Sequence, residues 1–201
     1  MAFGQSVDPV VMLLAKTRPV KLETVELSEF DSLSHLRKNL IEGALSVARD
    51  SPWLPYLLGG AQPEAGGFDC SGAMYFVMRK AGLDPPRSSG AQMAWLKKSG
   101  RLHDVSADAK GLKHVSLANL LPGDLLFWAM NENGTARIHH VAMYLGTEKI
   151  DGRAVMINST NGRSYRGQKG NGYGVYDFRV PKPESPSKLV SYGSPPGIGI
   201  E

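Results

Sequence analysis

The strongest periodic signal in the chain lies over residues 32–49, where Leu33, Leu36, Leu40, Ile41, Ala44, Leu45 and Ala48 recur at helical spacing. One apolar face results, and it must pack on something. Ahead of it, Asp8-Pro9 has the form of an N-cap followed by proline at the first helical position, and Val10, Val11, Leu13 and Leu14 suit a short helix ended by Pro19. A third helix is predicted over residues 70–80, with Ala73, Met74, Phe76 and Val77 apolar, Arg79 and Lys80 in its last turn and Gly82 beyond it. Residues 51–67, with three prolines and four glycines, read as an irregular approach to that helix. After Gly100 the pattern changes to short strands with turn residues between them, at residues 125–128, 140–145, 154–158 and 175–180. Helices followed by strands predict an α+β domain with N-terminal helices packed on a central antiparallel sheet. Residues 183–201, rich in proline and poor in apolar side chains, read as a C-terminal tail. Residues 1–30 read as an N-terminal extension, which leaves 31–182 as the domain.

The length of 201 residues suits one domain with a proper core, and 42% hydrophobic with 21% charged residues excludes a disordered or fibrous chain. The formal charge of +4 is spread along the sequence. It suits a polyanionic surface such as a cell wall, but the chain lacks the dense basic stretches with interleaved aromatics that point to nucleic acid. No stretch approaches the ~18 apolar residues of a membrane helix, so no integral membrane segment is expected. Residues 10–15 are too short for a secretory core and lack a basic lead, so no signal peptide is visible.

The one cysteine, Cys70, allows neither an internal disulfide nor a CxxC pair nor a multi-cysteine zinc site. The five histidines show no metal-ligand spacing either, so no metal is expected. A lone cysteine is often a small buried apolar residue. Its predicted place at a helix start, after the capping residue Asp69, also suits an activated thiol, because free N–H groups and the helix dipole stabilise a thiolate there. A partner follows from register. If the turn over residues 147–153 centres on Lys149, His140 faces Asn158, and period two puts His140, Ala142, Tyr144, Met156 and Asn158 on one sheet face, with His139 on the other. An asparagine so placed can orient one imidazole nitrogen while the other addresses the thiol. The same residues also suit a merely solvated sheet face, since a one-residue slip turns Asn158 away. Asn161 is the fallback third residue, Asp124 reads as turn chemistry, and Trp53, Tyr56, Trp95 and Trp128 are candidates for the cleft wall, with Trp128 equally suited to the core.

Five blocks in order carry a family resemblance: Tyr56-Leu-Leu-Gly-Gly60, Gly67-Phe-Asp-Cys-Ser-Gly72, Pro86-Arg-Ser-Ser89 with Gln92, Leu121-Pro-Gly-Asp-Leu-Leu-Phe127 and His140-Val-Ala-Met-Tyr-Leu-Gly146. Together they resemble the NlpC/P60 peptidoglycan hydrolases, which are papain-like cysteine peptidases, over about residues 40–180. The resemblance implies cleavage of an amide in the peptidoglycan stem peptide, in many members the bond from D-glutamate, through its γ-carboxyl, to a diamino acid. It implies Cys70 as nucleophile, His140 as base and Asn158 as the third polar residue. It further implies Tyr56 beside the nucleophile, Asp69 and Ser71 at positions that help bind a free L-alanine amine, and no cofactor. The interval of 18 residues from His140 to Asn158 is longer than the family pattern leads one to expect. A cell-envelope location, periplasmic or secreted, follows from the substrate. Two other readings stand beside this one: an antibacterial amidase toxin of the same chemistry, whose partner would include an immunity protein, and a papain-like thiol acyltransferase.

Overall fold

The computed structural model describes residues 18–132 and 134–199. The short helix expected over residues 10–14 lies outside them. Helix α1 (His35–Asp50) buries Leu40, Ile41, Ala44, Leu45, Val47 and Ala48, as its periodicity predicts, whereas Leu36 is exposed. Helix α2 (Cys70–Lys80) has the predicted bounds. Helix α3 (Ser89–Lys98) was not legible, because it buries only Gln92 and Leu96 and so has no apolar stripe for a periodicity to reveal.

Two short strands, β1 (Ala61–Gln62) and β2 (Gly67–Phe68), pair antiparallel just before α2. The main sheet holds β3 (Leu102–Asp104), β4 (Leu125–Glu132), β5 (Thr135–Thr147), β6 (Ala154–Tyr165), β7 (Gln168–Asp177) and β8 (Ser187–Gly193). Its order is β3-β8-β4-β5-β6-β7, and every pairing is antiparallel. The α+β reading therefore holds. The strands run longer than the sequence suggests, and β6 turns into β7 through Arg166 and Gly167, both at positive φ, which matches the twist of a two-residue hairpin.

One face of the sheet, with Leu125, Phe127, Val141, Met143, Val155 and Ile157, packs on the helices. The other face buries a second cluster that includes Leu126, Trp128, Ala142, Tyr144, Met156, Tyr176 and Phe178. The turn before β4 is tied to both layers. Arg37 of α1 donates to the Pro122 carbonyl at 2.8 Å and to Asp124 Oδ1 at 2.9 Å, while the Gly123 N–H donates to the Tyr144 carbonyl of β5 at 2.7 Å. Asp124 is structural, as turn chemistry leads one to expect.

Both terminal segments require correction. Residues 183–201 are not a tail: β8 lies between β3 and β4, Leu189 and Tyr192 are buried, and Ile198 joins the helix-side core. Prolines flank this strand rather than interrupt it, so their density hid a seven-residue run that pairs on both sides. Nor does the domain begin at residue 31. Val20 bridges Val175, Leu27 bridges Glu148, and Leu22 and Leu27 are buried in the same core.

Candidate active site

Cys70 is the first residue of α2, and Asp69 caps that helix by accepting from the Gly72 N–H at 2.6 Å. The same carboxylate accepts from the Gly59 N–H at 2.9 Å and from the Ser71 hydroxyl at 3.1 Å. Arg87 then grips it from the start of the next helical segment, with Nη1 at 3.0 Å from Oδ1 and Nη2 at 2.7 Å from Oδ2. This is a two-pronged charged pair of the kind that fixes geometry. Burial opposes the Asp69 charge, but the Arg87 fork and the two N–H groups outweigh it and hold the carboxyl below its usual range. Arg87 also donates to Ser71 Oγ and to the Gly60 carbonyl, and Gln92 donates to the Ser71 carbonyl at 3.1 Å. Gly72 completes the seat, since a Cβ there would run into the Gly60 carbonyl. Ser159 of β6 donates to the Phe68 carbonyl at 2.7 Å and pins the approach strand to the sheet.

The Cys70 thiol packs against the main chain on both sides of His140. Its sulfur lies 3.9 Å from the His139 carbonyl, and the Val141 N–H points toward it. Burial pushes the thiol's pKa up and the nearby Asp69 charge adds to this, while the N–H groups of Val141, Ser71 and Cys70 pull the other way without prevailing. His140 is buried too, and burial drives its pKa well below the ordinary imidazole value, with the charge of Arg163 and the neighbouring His139 acting in the same direction. Both groups are therefore neutral at neutral pH.

His140 and Asn158 do meet, at 2.7 Å between Nε2 and the Asn158 amide. Their register differs from the expected one. Met143 faces Ile157 and Tyr144 faces Met156, so Asn158 is displaced by two positions, and a shift of two leaves it on the same face. At the turn, where Thr147 faces Ala154, the displacement is three, and an extra residue in β5, between Tyr144 and Gly146, reduces it to two. A second irregularity, where Trp128 faces His140 but Ala129 faces Ile138, leaves His139 unpaired. His139 is exposed and its Nε2 meets the Ser187 hydroxyl at 2.8 Å, so its carbonyl rather than its ring reaches the thiol. Asn161, the fallback, is exposed and paired with Asn171 across β7.

Tyr56 is half-buried beside β2. Burial, then the proximity of Cys70 and Asp69, raise its phenol pKa, and its hydroxyl makes no hydrogen bond among the described residues. Trp128 is fully buried and packs its ring 5.4 Å from that of His140, so it is both core and wall. Trp53 instead bonds the Asn171 carbonyl, and Trp95 packs on the helix-side core. Among the described residues no group of histidine, cysteine and carboxylate side chains is arranged to hold a metal. Arg87 and Gln92 are legible as parts of a motif block, but a fork closing on a carboxylate 18 residues away shows only in three dimensions.

A sheet strand carrying an Asn-held histidine, packed against a cysteine at a helix N-terminus, defines an α+β domain with a cysteine, a histidine and an asparagine gathered at one site. The family model described as "NlpC/P60 family" matches residues 54–178, more than half of the chain, and the chain belongs to that family. It is 40% identical over 97 residues to the gamma-D-glutamyl-L-lysine dipeptidyl-peptidase of Bacillus subtilis (strain 168), a match that covers 48% of this chain and 26% of that protein. It is 34% identical over 122 residues to the probable endopeptidase p60 of Listeria monocytogenes, covering 60% of this chain and 19% of that one. The chain thus spans about a quarter or less of the curated relatives it matches. Among solved structures, an NlpC/P60 endopeptidase from Photobacterium damselae subsp. piscicida superposes with a TM-score of 0.48 at 18% identity, covering 77% of this chain and 39% of that chain.

Proposed function

We propose that this domain is a peptidoglycan hydrolase: a cysteine endopeptidase that cleaves an amide of the stem peptide, at the bond from the γ-carboxyl of D-glutamate to a diamino acid. The observation that carries this reading is the placement of the Cys70 thiol against the backbone on either side of His140, whose Nε2 is held by Asn158 within an NlpC/P60 domain. The name of the Bacillus subtilis relative, a gamma-D-glutamyl-L-lysine dipeptidyl-peptidase, supports the substrate.

With Nε2 taken by Asn158, Nδ1 is the ring atom left for the thiol proton. As the sulfur attacks the amide carbon, the proton passes to His140, and the charged ring then protonates the leaving amine. Water, deprotonated by the same ring, releases the acyl group and restores the thiol. The Cys70 N–H, at the open end of the helix, is a donor for the tetrahedral oxyanion, a contact worth ~3–4 kcal/mol where one has been removed. Asn158 Oδ1 is buried without a partner in the present orientation. Rotation of the amide brings that oxygen to Nε2, where it accepts from the charged ring. The chemistry requires no metal or cofactor.

Tyr56, Asp69 and Ser71 form the acyl-side wall in this reading. Tyr56 offers its hydroxyl to the amine end of the stem, whereas the polar atoms of Asp69 and Ser71 are engaged with Arg87 and the helix start and act by shaping that wall. The substrate places the protein's work in the cell envelope. Mass spectrometry of purified muropeptides incubated with wild type and Cys70→Ala tests the assignment: the wild type should release fragments cut between glutamate and the diamino acid, and the variant none. Muropeptides left intact by the wild type would sink the substrate, and equal cleavage by both proteins would sink the mechanism.

A further inference from the structure

Arg163 sits on β6 five residues beyond Asn158, at an irregularity between Asn161 and Ser164 where Gly162 adopts φ +114°. The irregularity breaks the strict alternation of the strand. The Arg163 side chain consequently lies on the His140 face, with its guanidinium carbon 4.3 Å from the centre of the Trp128 ring. Trp128 is in turn the neighbour of His140, so guanidinium, indole and imidazole form one continuous wall.

The other arginines of this region are all paired. Arg166 binds Glu148 and Asp151, Arg153 binds Asp151 and Asp177, and Arg179 binds Asp177. Arg163 makes no hydrogen bond and no ion pair among the described residues, although it is half-buried and shares a cavity of about 320 Å³ with Asp177, Arg179, Ser164 and Gly167. A guanidinium carries five N–H donors in a planar fork that matches a carboxylate, and stacking on an aromatic face holds that fork in place. The carboxylate that lines this cavity, Asp177, is already held by Arg153 and Arg179, so Arg163 faces the site without a counter-ion among the described residues. The consequences are visible in its surroundings. Burial brings the pKa of Arg163 down to about 10, and its charge helps to keep His140 neutral. An anion arriving at the fork relieves both.

We propose that Arg163 is a substrate-binding residue that receives a carboxylate on the amine side of the scissile bond. This rests on the peptidase reading, in which His140 hands its proton to the leaving nitrogen, so that the diamino acid half lies over the imidazole and reaches the guanidinium across Trp128. The chemistry to be recognised is a carboxylate, and the diamino acid offers two: its main-chain carboxyl when it ends the stem, or a second carboxyl on its side chain.

The test is kcat/KM of wild type, Arg163→Gln and Arg163→Lys on three stem tripeptides. One ends in meso-diaminopimelate with both carboxyls free, one has the main-chain carboxyl converted to an amide, and one ends in L-lysine, which lacks the side-chain carboxyl. For wild type, neutralising the recognised carboxyl should lower kcat/KM by about 10- to 100-fold. Arg163→Gln should lower kcat/KM on the doubly acidic substrate by that factor more than on the neutralised one, with Arg163→Lys between them. Which neutralisation silences the variant's effect identifies the carboxyl. Equal losses on all three substrates, or none on any, would overturn the proposal. Calorimetry with the amine-side products themselves, free meso-diaminopimelate and free L-lysine, reads the same contact without turnover. Binding of an acidic product by wild type and its loss in Arg163→Gln support the contact even if no tripeptide is cleaved, an outcome that would remove the peptidase reading alone. Absence of any difference in binding removes the contact.

Discussion

At the scale of single residues, the site is a neutral pair rather than a preformed ion pair, because burial moves Cys70 upward and His140 downward. Proton transfer then belongs to the attack itself. The expected signature is in the pH dependence of alkylation by iodoacetamide: with a raised thiol pKa, the rate should climb through the alkaline range as the thiolate forms. A plateau already reached at acidic pH would show a thiolate–imidazolium pair instead. His140 without its tether is a second case. Asn158→Ala removes a hydrogen bond that must hold a charged ring in the reaction, and should lower kcat/KM by about 10- to 100-fold, measured on a muropeptide substrate, with folding intact by circular dichroism. These residue types were all legible as candidates, since each is a rare polar group in an apolar setting. The roles of Arg87 and Arg163 were not, because an arginine's meaning depends on whether a carboxylate lies near it, and here one is paired and the other is not.

The helix α2 is the element on which the site depends. Its start was legible because capping is local: Asp69 bonds a backbone N–H three residues on. The grip of Arg87 on that cap crosses the fold and was not legible. Asp69→Ala should remove about 1–2 kcal/mol of stability through the lost cap. It should also release Arg87 and the Gly59 and Gly72 N–H groups, so that the loss in urea denaturation exceeds that of Asp69→Asn, which keeps an accepting oxygen. Equal losses in the two variants would show that the cap carries nothing. The strands teach a related lesson. Alternation placed His140 and Asn158 on one face correctly, but their pairing is displaced by two: the turn is shifted by three, and an extra residue in β5, which no local signal announces, takes one back. The face survived because its period is two; a displacement of one would have destroyed the site.

At the scale of the whole molecule, the sheet is closed by segments the sequence had set aside. Strand β8 joins β3 to β4, and residues 20 to 27 lay Leu22 and Leu27 into the core beneath β7 and the β5–β6 turn. The buried pair of Arg37 and Asp124 links α1 to the turn that begins β4. Removing one member leaves a buried charge, so Arg37→Leu should cost about 3–5 kcal/mol in urea denaturation, and adding Asp124→Asn should restore part of the loss because the neutral amide needs no counter-ion. A further loss on adding the second change would mean that Asp124 is held by its backbone donors alone.

The sequence by itself determined the class of fold, the place of the thiol at a helix start, the histidine and asparagine on one sheet face, and the family. The first three follow from local spacing, 3.6 residues per helical turn, two per strand repeat and three from cap to N–H, and the family follows from the resemblance of five motif blocks in order. Tertiary structure alone decided which strand closes the sheet, how a bulge set the register, which carboxylate Arg87 neutralises, and that Arg163 faces His140 across Trp128 with no counter-ion among the described residues. Those outcomes depend on contacts between residues far apart in the chain, where burial sets the strength of each charge and no periodicity records who the neighbour will be.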